Sequence, residues 1–182
     1  MSSVASFYRL DRSAVPGLVE AAGHATIVIP WPKSRWRVVR YFESRFGDPQ
    51  HLVPAVVSPV YNYLQENDLG VSGGEYGWSG NGLYYLMCFL EDTGTALGTD
   101  EYRAETEAIN VRYDLTYLVT SADKRHLPAL ESARTDGAPE RYFTARGEDF
   151  EEMRPAIDDG LVLLHRLVSA LKDSDVLVIG IG

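Results

Sequence analysis

Glu148-Asp-Phe-Glu-Glu-Met-Arg-Pro-Ala-Ile-Asp-Asp-Gly-Leu-Val-Leu-Leu-His-Arg-Leu-Val-Ser-Ala-Leu-Lys172 and, shortly after it, Val176-Leu-Val-Ile-Gly-Ile-Gly182 decide the fold class. In the first stretch Phe150, Met153, Ile157, Leu161, Leu164, Val168 and Leu171 step by three or four, the period of a helix with one apolar face. Glu148, Asp149, Glu151 and Glu152 fall in its first turn, where carboxylates complement the positive end of the helix dipole, and Pro155 marks a start or a kink. The closing run has no polar alternation, which predicts a strand buried in a sheet.

Working back from there, Ile109, Val111, Tyr113, Leu115, Tyr117 and Val119 alternate with Asn110, Arg112, Asp114, Thr116 and Thr120. Period two over 109–120 is the clearest strand signal in the chain. Ser121 then caps a helix to Arg134, and Asp136-Gly-Ala-Pro139 is a turn. Residues 100–108 read as a short polar helix. Leu83-Tyr-Tyr-Leu-Met-Cys-Phe-Leu90 is apolar all round; it reads as a buried helix because Ser79 or Asn81 can cap it and Gly94 follows. Residues 70–82 are a loop by composition.

Nearer the N-terminus, 50–66 reads as helical despite Pro54 and Pro59. From Ser34, Trp36, Val39, Phe42 and Phe46 share one side of a helix that Gly47 and Pro49 end. Thr26–Ile29 is a strand. Asp11 or Ser13 caps a helix carrying Val15, Leu18, Val19 and Ala22, and Val4–Leu10 is the first strand. Helices do not alternate strictly with strands, so a doubly wound sheet is disfavoured. The expectation is a single α+β domain over residues 1–182, with a mixed sheet and helices packed on it.

Length and composition agree. A chain of 182 residues, 45% hydrophobic and 24% charged, buries a core without a metal or disulfide staple. One cysteine, Cys88, allows no internal disulfide. Met1–Ser6 lacks the basic-then-apolar pattern of a signal peptide, and no apolar run is long enough to span a bilayer, so the cytoplasm is the expected compartment and no membrane partner is expected. Net charge is −9, of which −8 lies in residues 92–182. Such a field repels phosphate backbones, which disfavours nucleic acid, and attracts a basic protein; the plain alternative is solubility.

Two segments carry candidate binding residues. In 70–82, Glu75, Tyr76, Trp78 and Asn81 stand on a glycine-rich backbone and offer stacking and hydrogen-bonding groups. The competing reading is a turn with Tyr76 and Trp78 folded onto the core. In 31–40, Lys33, Arg35, Arg37 and Arg40 interleave with Trp31 and Trp36, a pattern that holds an anion, or else a solvated helix face with Arg40 beside Glu43. Neither a dinucleotide nor a P-loop motif is present in context, and Gly77-Trp-Ser79-Gly80 misses the hydrolase elbow by one residue. His24, His51, His126 and His165 lack metal-ligand spacing, Cys88 reads as a small buried hydrophobe, and Glu151-Glu152 and Asp158-Asp159 are adjacent and so share no helix face. No metal, no cofactor and no catalytic motif is expected.

Lys33-Ser-Arg-Trp-Arg-Val-Val-Arg-Tyr-Phe42 is similar to a Trp-led helix of the YfbM-like family of small bacterial proteins of unknown function. Leu163-Leu-His-Arg-Leu167 through Gly182 resembles that family's C-terminus. The resemblance covers about a fifth of the chain and implies a compact α+β domain with no established activity, so there are no family site residues to carry over.

The functional expectation is a non-enzymatic bacterial protein-binding module, of the immunity-inhibitor type, in which Glu75, Tyr76 and Trp78 anchor a basic partner. One alternative is a small-molecule or anion-binding protein or enzyme using a cleft beside the glycine-rich loop, with Lys33, Arg37 or Arg40 holding the anion. Another is a structural subunit of a homo-oligomer.

Overall fold

The computed structural model describes residues 4–24, 27–31, 35–39, 59–70, 76–98, 100–110 and 115–182. Three strands form one sheet: β1 (Ala5–Asp11), β4 (Leu115–Thr120) and β5 (Asp175–Ile181), in the order β1-β5-β4. A separate antiparallel hairpin pairs β2 (Ile27–Trp31) with β3 (Arg35–Val39). The helices are α1 (Val15–His24), α2 (Pro59–Asn67), α3 (Gly80–Asp92), α4 (Arg103–Asn110), α5 (Leu127–Ala133), α6 (Ala138–Thr144) and α7 (Phe150–Ala170). Short 3-10 turns at Arg12–Ala14 and Ser121–His126 lead into α1 and α5.

The apolar terminal run is the central strand, and both faces of the sheet are covered. Phe7, Leu115, Tyr117, Val119, Leu177, Ile179 and Ile181 join a core with α3, α5, α6 and α7. Tyr8, Leu10, Leu118, Val176 and Val178 join a second core with α1, α2 and Ile109 of α4. A strand clamped between two helical layers has no wet face, hence no polar alternation in Val176–Ile179.

The sheet is antiparallel, not mixed. β5 pairs with β1 from Ala5↔Ile181 to Asp11↔Asp175 and with β4 from Leu115↔Ile181 to Thr120↔Val176. Strand direction depends on how many connecting helices run lengthwise across the layer, which a count of elements does not reveal.

Other boundaries shift for local reasons. Asp11, rather than Ser13, caps the first turn, accepting from Ser13 N at 2.8 Å. Thr120, not Ser121, caps the turn after β4: its side chain receives Ala122 N, while Asp123 Oδ2 accepts from Thr120 N at 2.9 Å. Of the strand expected over 109–120, Leu115–Thr120 forms β4 while Ile109 and Asn110 close α4 instead; residues 111–114 lie outside the described residues. Ile109 sits seven residues beyond Tyr102, a helical interval that anchors α4 on the second core. The helix expected from Ser34 is also corrected: Arg35–Val39 is a strand, held by pairing with β2 from Ile27↔Val39 to Trp31↔Arg35. Trp36, Val38 and Val39 are aromatic or β-branched, and that chemistry suits a strand as well as it suits a helix face. The same finding places a strand where the YfbM-like resemblance implies a Trp-led helix. The expected helical segments at 40–46 and 50–58 lie outside the described residues.

Two tyrosines fasten helices at glycines. The Tyr63 hydroxyl of α2 donates to Ala14 O at 2.8 Å, and a Cβ at Gly17 of α1 would stand 2.3 Å from it. The Tyr76 hydroxyl donates to Ala156 O of α7 at 3.1 Å, in a gap that a Cβ at Gly82 would close to 2.7 Å. Gly160 lets Leu86 of α3 reach α7, since a Cβ there would lie 2.6 Å from Leu86 Cδ2. These contacts fix α3 against α7.

Candidate functional site

The helix α3 buries Leu83, Leu86, Met87, Phe89 and Leu90. Its opposite face follows the same period: Asn81, Tyr84, Tyr85, Cys88 and Asp92 stand three or four apart on the outer side. That stripe is about 16 Å long at 1.5 Å per residue. Tyr84 and Tyr85 are 44% and 38% exposed, and Trp78, in the bend just before the helix, is 42% exposed. Exposed Trp and Tyr on one helix and its lead-in are side chains of the kind that dominate protein interfaces.

The rings are held in place. The Tyr84 and Tyr85 rings lie 5.9 Å apart, and Tyr85 meets Phe143 of α6 edge to face at 6.3 Å. Hydrogen bonding to the Cys88 thiol raises the Tyr84 hydroxyl above its ordinary value. At the far end, Tyr142 of α6 donates to Asp92 at 2.6 Å, Arg146 pairs with Asp92 at 2.9 Å, and the Arg146 guanidinium lies 3.6 Å over the Tyr142 ring. Loss of hydration, reinforced by that bond to Asp92, pushes the Tyr142 hydroxyl up to about 12. At the near end, the Trp78 indole N–H donates to Asp159 Oδ2 at 2.7 Å.

The sequence-derived candidates separate. Trp78 is exposed in the bend before α3, and Asn81 is exposed at the head of the stripe. Tyr76 is half-buried and its hydroxyl is committed to Ala156; burial, then the nearby Asp159, pushes it up to about 12. Tyr76 thus holds the fold under the surface that Trp78 presents. Arg37 is placed in β3 opposite Ile29, while Lys33, Arg40 and Glu75 lie outside the described residues. The reading of 31–40 as an anion site therefore acquires no geometry here.

Sequence reasoning missed Tyr84, Tyr85 and Asp159. The first two were hidden inside a run that is apolar all round, although spacing from Asn81 marks them as outward once Leu83, Leu86 and Leu90 are placed inside. In sequence Asp159 reads as half of an adjacent acidic pair, and nothing local shows that Trp78 reaches it across 81 positions.

Among the described residues, no group of three or more His, Cys, Asp or Glu side chains is placed to hold a metal, and no helix is long and apolar enough to cross a membrane. No family model, curated protein or solved structure matches this chain.

Proposed function

We propose that the protein is a non-enzymatic binding module that engages a protein partner through the outer face of α3 and the bend before it. The observation that carries this reading is the exposure of Tyr84 and Tyr85 on α3 and of Trp78 in the bend before it. Tyr85 and Trp78 would bury area at little conformational cost, because packing against Phe143 and bonding to Asp159 already restrain them. Strand addition at β4 is a poor alternative mode: Asn110 and Asp123 already occupy backbone groups of Thr116 and Thr120 on its outer edge.

The test is affinity capture from the cells that make the protein, comparing wild type with Tyr84→Ser/Tyr85→Ser and with Tyr76→Phe. A defined partner retained by Tyr76→Phe and lost by the double variant supports the reading. Equal capture by all three removes α3 from the interface. Self-capture that the double variant abolishes would identify the surface as a contact between copies.

A further inference from the structure

The stripe lies in a segment with no positive charge: residues 46–102 contain eight Asp and Glu and not one Lys or Arg. Two arrangements on this helical layer then invite comparison. At one end, Tyr142 donates to Asp92, and Arg146 completes the group by stacking 3.6 Å over the ring and pairing with the same carboxylate. At the other end, Trp78 donates to Asp159 at 2.7 Å in the same sense, ring donor to carboxylate. No cation among the described residues closes this second pair. On α7 the residues three and four away from Asp159 are Pro155, Ala156, Val162 and Leu163, so the helix itself supplies none. Val162, one turn on, is 41% exposed and offers apolar surface for the stem of a long side chain.

The geometry points to Trp78 and Asp159 as a receptor for an arginine side chain of the partner, which would occupy the position that Arg146 holds at Tyr142 and Asp92. The guanidinium stacks on the indole, the best cation-binding ring among the side chains, and pairs with the carboxylate that already orients it. The net charge of −9 attracts a basic protein surface and favours its approach. This inference rests on the binding reading above and adds the chemistry of the partner.

The experiment follows the Trp78 indole N–H resonance, assigned with Trp78→Phe, during titration with an acetylated tetra-arginine amide and with its neutral tetra-citrulline counterpart. A saturable shift is expected with the arginine peptide alone. Asp159→Asn should weaken it about fivefold, as loss of one ion pair supporting a cation–π contact would. Glu107→Gln, on α4 in the opposite layer, should leave it unchanged. No saturable shift, or equal weakening by Asp159→Asn and Glu107→Gln, would overturn the receptor and reduce the effect to the protein's overall field. If the receptor fails while Tyr84→Ser/Tyr85→Ser still loses its partner, the binding reading stands without it.

Discussion

The side-chain amide of Asn110 makes with Thr116 both hydrogen bonds that a neighbouring strand would make: Nδ2 donates to Thr116 O at 3.1 Å and Oδ1 accepts from Thr116 N at 2.7 Å. The end of α4 thereby stands in for a fourth strand. Gly98 covers the next outward position, with φ +69 and with a Cβ that would lie 2.7 Å from Leu118 O. Only glycine combines that backbone with that approach. An edge sealed in this way resists pairing with other chains, which leaves recognition to side chains elsewhere.

Asn110→Ala removes both bonds and leaves the Thr116 amide without its partner. Urea unfolding should show a loss of about 1–3 kcal/mol, and hydrogen exchange at Thr116 should accelerate selectively. Unchanged protection at Thr116 would mean that the amide does not close the edge.

The contact between α3 and α7 predicts a contrast between two glycines. Gly160→Ala places a Cβ 2.6 Å from Leu86 Cδ2, whereas a Cβ at Gly77 meets nothing within 4 Å. The first should cost about 1–3 kcal/mol by overpacking and the second should stay within about 0.5 kcal/mol of wild type. Thermal unfolding of the two variants decides it.

Much of this fold can be read from the chain, and the failures share a cause. Helix α7 follows from its three-and-four spacing, and strand β5 from its unbroken apolar run, because β5 lies between β1 and β4 along nearly its whole length. The alternating run after residue 109 overstates the strand, because Ile109 serves a helix and Leu115 a strand within it. At 35–39 the side chains suit either state, and pairing with β2 decides between them. Trp78 was visible as a candidate, but its partner Asp159 depends on the crossing of α3 with α7, a tertiary fact. Tyr76 stood beside it in sequence and has a different task, because its hydroxyl turns inward to Ala156.

That inward hydroxyl has a pH signature. Burial raises Tyr76 from the ordinary 10.0 to about 12, so the folded state keeps a proton that the unfolded chain loses first. The associated stability is fully present below about pH 10 and is lost as pH rises through about 12. Tyr76→Phe should therefore flatten the decline of unfolding free energy across that window, since one ionisation is removed. A decline as steep as that of wild type would show that Tyr76 is not protected in the fold.

Exposed Trp78 predicts the opposite behaviour from Tyr76. Trp78→Ala should alter stability little, within about 0.5 kcal/mol beyond the loss of its one bond to Asp159, whereas Tyr76→Ala opens a cavity between α3 and α7 and should cost about 3–5 kcal/mol. Parallel urea titrations separate the surface residue from the structural one.

The most direct test of the α3 surface is photo-crosslinking in the cells that make the protein, with p-benzoylphenylalanine in place of Tyr84 on the outer face of α3 or in place of Glu107 on the opposite layer. The account predicts one discrete adduct from position 84 and none from position 107. Adducts of equal yield at both positions, or at 107 alone, would contradict the assignment of α3 as the binding face.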